Sequence, residues 1–213
     1  MNIKSIIKTQ WFAIVLGVVL TGIFVALQVA TLGTAPGIIE ALAVATSFTS
    51  TWLFVQQNRA AYPLGIVSTS LLSYVFFTAG LFGSMGLNLY LAPTLFYGWY
   101  IWGKKTKVER VVNRVWWQYV LATGLTYAGA VVVISLLGGQ VVFLDGMLLI
   151  GSILAQYLLD RRKWENWVVW TIVNVISVYV YGQAGLYLLA AQFVLFLANA
   201  IYGWATWKKQ VTN

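Results

Sequence analysis

The sequence predicts an all-α polytopic membrane protein with eight transmembrane helices, arranged as one N-terminal helix followed by a parallel 3+1+3 internal repeat. Three observations predict this fold class. The chain of 213 residues is 61% hydrophobic and 8% charged, whereas a soluble domain has about 25% charged residues. Its Lys and Arg residues occupy alternate gaps between apolar segments. Its second to fourth apolar segments share landmark residues with its sixth to eighth.

Eight apolar segments are each long enough for a helix to cross a bilayer, which takes about 20 residues. The predicted spans are residues 10–32, 37–56, 62–80, 85–103, 116–137, 142–159, 166–182 and 185–207. The short loops between them leave no room for a separate catalytic domain. The first span follows Lys4 and Lys8 and is longer than the apolar core of a signal peptide, so we interpret it as a retained helix.

All thirteen Lys and Arg residues fall on one predicted side of the membrane. They precede the first span, follow the eighth, or lie in the gaps after the second, fourth and sixth spans. Because cytoplasmic loops collect Lys and Arg, both termini are predicted to be cytoplasmic. The net charge of +8 is then explained by topology and by contact with anionic lipid, not by binding to nucleic acid.

An internal repeat emerges when the chain is shifted by 105 residues without gaps. The shift superimposes Tyr97-Gly98-Trp99-x-x-Trp102 on Tyr202-Gly203-Trp204-x-x-Trp207, Tyr74-Val75 on Tyr179-Val180, Ser47 on Ser152, and Glu40 on Asp145. Three helices would invert the second copy, and the intervening helix restores its orientation. Parallel repeats of this kind occur in transporters, which hold substrate between the repeats near the middle of the membrane.

The repeat divides the chain into four predicted parts. They are an N-terminal transmembrane helix (1–36), a first three-helix repeat (37–105), a linker helix (106–141) and a second three-helix repeat (142–213).

The second repeat contains Trp167-x-x-Trp170-x-x-x-Asn174, then Gly185-Leu186-Tyr187, Gln192 and Tyr202-Gly203-Trp204. These residues, and the repeat over residues 37–209, resemble the PnuC family of vitamin transporters, whose layout is similar to that of the SWEET sugar transporters. The resemblance implies facilitated diffusion of nicotinamide riboside across the bacterial inner membrane, trapping by cytosolic phosphorylation, and a homotrimer. Related members carry thiamine, riboflavin or deoxynucleosides, so the cargo stays open, with thiamine as the main alternative.

The seventh span supplies the first candidate substrate-binding residues. Trp167, Trp170 and Asn174 are spaced i, i+3, i+7 and therefore share one helical face. Two indoles on such a face can hold a flat cationic ring, with an attraction of about 0.5–2 kcal/mol when desolvated. Trp167 also fits an interfacial aromatic belt. Asn174 needs a partner at mid-helix, which a neighbouring helix can supply as well as a substrate.

The eighth span supplies a second polar face. Gln192, Phe196 and Asn199 are spaced i, i+4, i+7, which places two carboxamides on one side with an aromatic ring between them. In the first repeat Asn88 is a less certain candidate, because the family pattern often has Gln there. Thr69 takes the place of Asn174, so we expect the second repeat to make more of the direct substrate contacts.

The remaining chemistry is defined by what the sequence lacks. There is no Cys and no His, which argues against a disulfide framework, a metal site, a cofactor or an intramembrane enzyme. A purely structural protein would explain the aromatic residues but not the amides or the repeat. Of the five acids, Glu109, Asp160 and Glu165 are expected to be solvated in basic loops, and Glu40 and Asp145 lie near outer helix ends. Without a deep acidic pair, we predict transport that is not coupled to protons.

Overall fold

The computed structural model describes residues 9–78, 82–104, 107–111, 115–136, 142–183 and 187–212. Eight helices lie in these ranges: α1 (Gln10–Leu32), α2 (Ile38–Val55), α3 (Ala61–Thr78), α4 (Phe82–Lys104), α5 (Trp116–Leu136), α6 (Val142–Asp160), α7 (Asn166–Gln183) and α8 (Tyr187–Thr212). Each predicted span agrees with one helix to within five residues at either end. The prediction of an all-α fold with eight helices is therefore confirmed for the described residues.

The helices have the dimensions of membrane spans. They are 18 to 26 residues long, or about 27–39 Å at 1.5 Å per residue, against a hydrocarbon core of about 30 Å. Among the described residues, α1 and α2 are long and apolar enough to cross a membrane by length and composition alone. Apolar side chains such as Val18, Val120 and Ile172 stay exposed on the helix surfaces, which lipid can cover more favourably than water.

The chain divides into two compact units. The first, Met1–Lys104, contains α1 to α4, and the second, Lys105–Asn213, contains α5 to α8. Within each unit every helix packs against the next one along the chain. Gly185 and Leu186, and the side chain of Asp145, lie outside the described part of the structure.

Local sequence sets the first helix and its packing. The Thr9 side chain accepts a hydrogen bond from the Phe12 N–H and caps the start of α1, and Gly33 ends the helix at a φ of 72°. Gly17 lets α1 approach α2 closely, since a Cβ at this position would lie 2.1 Å from the Thr49 Oγ1. A small residue is therefore required where these two helices cross.

Five buried Ser and Thr hydroxyl groups in the described part of the first unit each donate to a backbone carbonyl. Ser50 donates to the Ala61 carbonyl at 2.8 Å and Ser68 to the Ala43 carbonyl at 3.1 Å, so both join α2 to α3. Three others donate to the carbonyl four residues earlier in their own helices: Thr21, Thr49 and Ser73. These hydroxyls are used within the fold.

The α2–α3 and α6–α7 loops have the same backbone structure at a spacing of 105 residues. Gln57 has a φ of 56° and Arg162 a φ of 55°. Four backbone hydrogen bonds also recur with donor and acceptor both shifted by 105 residues. Their N–H donors are Gln57, Asn58, Ala61 and Tyr62 in the first loop and Arg162, Lys163, Asn166 and Trp167 in the second.

An edge-to-face aromatic pair next to each loop has the same spacing. The Tyr62 and Trp102 ring centroids lie 5.0 Å apart at 81°, and those of Trp167 and Trp207 lie 5.4 Å apart at 87°. Each pair joins the second and third helices of the segments that repeat in the sequence, α3 to α4 and α7 to α8.

The short described segment before α5 is fastened to the α6–α7 loop. The Trp164 N–H donates to the Glu109 carbonyl at 3.1 Å, and the Lys163 Nζ lies 2.7 Å from the Glu109 Oε2. The Val111 N–H donates to the Glu165 Oε1 at 2.9 Å in a buried position. These contacts hold the segment before α5 against the α6–α7 loop within the second unit.

The prediction that Asp160 and Glu165 are solvated is wrong. Asp160 is 2% exposed and accepts a hydrogen bond from the Gln156 Nε2 at 2.7 Å. Glu165 is 7% exposed. The loop folds back against the helix ends, so these acids meet protein donors instead of water. Glu109, whose side chain is 44% exposed, remains partly solvated.

Glu165→Ala should lower the stability of the second unit more than Glu109→Ala. The first change leaves the buried Val111 N–H without its acceptor, at a cost of about 1–3 kcal/mol. The second removes a partly exposed ion pair worth about 0.2–1 kcal/mol. Melting temperatures of the two variants in the same detergent test this difference. Equal shifts would show that the buried Glu165–Val111 hydrogen bond stabilises the protein no more than the Glu109 ion pair does.

Candidate substrate-binding site

The α7 and α8 helices keep one register along their contact. Trp167 meets Trp207 edge to face, and Tyr181 stacks on Phe193 with centroids 5.2 Å apart and planes at 19°. The two pairs are 14 residues apart on both helices, or about 21 Å along the axis. Asn174 lies seven residues from Trp167 and seven from Tyr181. A polar side chain thus occupies the middle of the helix pair, with an aromatic pair on either side.

Trp167 is packed into the second unit. It is 2% exposed, and a Cβ on Gly203 would lie only 2.6 Å from its ring. The Trp207 ring covers it from the side. The indole Nε1 is buried and has no hydrogen-bond acceptor among the described residues. Trp167 therefore stabilises the α7–α8 contact, and its predicted role in binding substrate stays a prediction.

Asn174 and Gln192 are the two buried carboxamides among the predicted site residues. They are 3% and 6% exposed, and neither side chain has a hydrogen bond to a described residue. The predicted face of α7 does point into the protein, because Trp167 and Asn174 are buried and Trp170 is half-buried. The interhelical hydrogen bond that would have explained Asn174 structurally is absent from the described residues.

The other predicted residues lie at the margins of this arrangement. Phe196 is half-buried and meets Phe193 edge to face at 5.8 Å. Asn199 is half-buried on α8, at the level of Asn174 by the common register. Asn88 is half-buried on α4 of the first unit, and its predicted role stays a prediction.

Two buried serines were missed by the sequence reasoning. Ser152 on α6 is 6% exposed and Ser177 on α7 is 2% exposed. Ser177 continues the face of Asn174 three residues further on, which is the signal that could have identified it. Like Asn174 and Gln192, the two serines have no side-chain hydrogen bond to a described residue.

These four side chains, Ser152, Asn174, Ser177 and Gln192, are called the polar set below. All four are uncharged and all belong to the second unit. Serine hydroxyls and carboxamides both donate and accept hydrogen bonds. The set can therefore bind a neutral polar group without the desolvation cost of a buried charge.

Comparison with known proteins identifies the family. The family described as nicotinamide mononucleotide transporter matches residues 37–209. The nicotinamide riboside transporter PnuC of Neisseria mucosa is 30% identical over 179 residues, which cover 75% of this chain and 68% of that protein. The chain belongs to the PnuC family of transporters. It is a multi-pass inner-membrane transporter and not an enzyme, as predicted.

Two further PnuC proteins extend the likeness. The nicotinamide riboside transporter PnuC of Escherichia coli is 25% identical over 201 residues, covering 79% of this chain and 84% of that one. A solved structure, that of the vitamin B3 transporter PnuC, matches with a TM-score of 0.78 and 26% identity over 94% of this chain and 92% of that chain. The PnuC fold thus extends over nearly the whole sequence.

Gly203→Ala should destabilise the protein, because the added methyl group would meet the trapped Trp167 ring. Overpacking of this kind costs about 1–3 kcal/mol. Gly124→Ala on α5 is the matched control, since a Cβ there meets nothing within 4 Å, and we expect no loss of stability from it. Melting temperatures of both variants in detergent test the contact, and an unchanged Gly203→Ala protein would contradict it.

Proposed function

We propose that the chain mediates facilitated diffusion of nicotinamide riboside into the cell, where phosphorylation then traps the substrate. The carrying observation is the polar set, which is buried, uncharged and unbonded within the described residues. These side chains can both donate and accept hydrogen bonds, and a bound riboside would supply the partners. The names of the PnuC relatives support the cargo, since those from Neisseria mucosa and Escherichia coli are nicotinamide riboside transporters.

The charges of the second unit favour the riboside over its phosphorylated form. No Lys or Arg occurs in α6 or α7, and those of α8 are Lys208 and Lys209 near its end. A phosphate group requires charged or multiple backbone donors, whereas the riboside carries no phosphate. Its nicotinamide ring is cationic and can bind to an indole face such as that of the half-buried Trp170.

Thiamine is the alternative cargo, because it is also a cationic aromatic molecule. The polar set favours the riboside, since two hydroxyls and two carboxamides complement a sugar and an amide.

Transport is driven by the substrate gradient alone. The chain has no His, and the two buried acids of the described residues, Asp160 and Glu165, are bonded to Gln156 and Val111 at the α6–α7 loop. Neither belongs to the polar set. These contacts support a passive mechanism, because a proton relay needs titratable groups along the path.

The chain has the 3+1+3 layout of a duplicated three-helix module, with both termini in the cytoplasm and a homotrimeric assembly. The matching loops and aromatic pairs, 105 residues apart, support the duplication. The distribution of Lys and Arg supports the orientation. The homotrimer rests on resemblance to the family.

Asn174→Ala and Gln192→Ala should each weaken binding of nicotinamide riboside, by about 1–3 kcal/mol where a buried substrate group loses its partner. Calorimetry of the purified protein with nicotinamide riboside, its 5′-phosphate and thiamine measures the effect and identifies the cargo. Gln118→Ala, an exposed carboxamide on α5, is the control and should bind like the parent. Parent-like affinity in both site variants would place the site elsewhere.

Proteoliposomes with no imposed proton or sodium gradient should accumulate labelled nicotinamide riboside until its concentrations inside and outside are equal. A passive carrier cannot exceed this level. Uptake that begins only when an ion gradient is imposed would overturn the uncoupled mechanism.

A further inference from the structure

The two buried serines of the polar set and Asn174 are close in sequence to a contact between α6 and α7. A Cβ on Gly151 of α6 would lie 2.7 Å from the Val173 Cγ2 of α7, so the helices are in close contact there. Ser152 and Asn174 are the next residues on the two helices. Ser177 follows Asn174 by three residues on the same face of α7. Two hydroxyls and a carboxamide therefore occur within about one helical turn of the crossing.

These serines differ from the other buried Ser and Thr hydroxyls in the described ranges. Ser and Thr side chains in helices commonly donate to a carbonyl three or four residues earlier. Thr171 on α7 does so, to the Trp167 carbonyl at 2.8 Å. The five buried hydroxyls described in the first unit are also bonded to carbonyls. Ser152 and Ser177 have no such bond to any described residue, although both are more than nine-tenths buried.

The three-helix fold itself does not require most of these polar groups. At the 105-residue spacing, Ser177 corresponds to Leu72 and Gln192 to Leu87. Asn174 corresponds to Thr69, whose hydroxyl donates to the Gly65 carbonyl at 3.0 Å. The first unit thus builds the same loop and aromatic pair with apolar or internally bonded side chains at these positions.

We propose that Ser152 and Ser177 are ribose-binding residues, which exchange hydrogen bonds with the 2′- and 3′-hydroxyls of the sugar. This inference rests on the proposed function and specifies which part of the riboside meets which part of the polar set. A hydroxyl both donates and accepts, as does each ribose hydroxyl, so the two can pair in either direction. The carboxamide of Asn174 is then left to pair with the nicotinamide amide, which has one acceptor and one donor group.

The test compares ligands that differ by one hydroxyl group. Dissociation constants of nicotinamide riboside and of its 2′-deoxy and 3′-deoxy analogues are measured by calorimetry for the parent, Ser152→Ala and Ser177→Ala. The parent should prefer the riboside to at least one deoxy analogue by about 5- to 100-fold, the range of a lost buried hydrogen bond. The variant that lacks the serine bonded to that ribose hydroxyl should prefer the riboside by less than about 2-fold.

Ser68→Ala is the matched control, because the Ser68 hydroxyl is equally buried but donates to the Ala43 carbonyl. Its preference among the three ligands should equal that of the parent, even if its melting temperature falls.

Two results would overturn the ribose-binding role. One is a parent that binds all three ligands equally, and the other is serine variants that both keep the parental preference. An affinity loss shared equally by the riboside and both analogues would assign the serines to packing alone. A parent that binds none of the three would instead refute the proposed function.

Discussion

A polar atom buried in a membrane-spanning helix bundle needs a hydrogen-bond partner, because neither lipid nor apolar side chains can supply one. In the first unit, the five buried Ser and Thr hydroxyls that are described meet this requirement internally. They donate to backbone carbonyls, and Ser50 and Ser68 use their bonds to join α2 to α3. In the second unit, the four side chains of the polar set have no hydrogen bond to a described residue. The proposed transport function depends on this difference.

What the two units share is the framework that positions those side chains. The loop with a positive φ and the edge-to-face aromatic pair recur 105 residues apart. A cation–π contact between the loop and the last helix also recurs. The loop supplies the cation in the first unit, and the last helix supplies it in the second. Arg59 of the α2–α3 loop lies over Trp99 at 4.4 Å, whereas Lys208 of α8 lies 5.1 Å from Trp204 and 5.7 Å from Trp164 of the α6–α7 loop. The contact between loop and last helix is kept, while the residue that supplies the charge is not.

The helices and the inward face of α7 could be predicted from the sequence for a simple reason. Lipid imposes long apolar segments, and the alternating positions of Lys and Arg separate them. The sequence therefore predicts each of the helices in the described ranges to within five residues. The i, i+3, i+7 spacing correctly placed Trp167 and Asn174 on the inward face. These features depend on residues close together in the chain.

Features that depend on distant residues could not be predicted. The burial of Glu165 requires Val111, 54 residues away, to fold onto the loop. The packing of Trp167 depends on Gly203, whose missing side chain makes room for the ring. Ser177 was missed because serine is common in helices, and only its burial without a carbonyl partner sets it apart.

The most direct test of the central claim is an experimental structure of the protein with nicotinamide riboside bound. Polar atoms of the riboside should lie within about 2.7–3.2 Å of the Asn174 and Gln192 carboxamides, and the charged residues of the α6–α7 loop should not contact the riboside. A riboside bound elsewhere, with all four side chains of the polar set bonded only to protein, would show that the polar set is not the binding site.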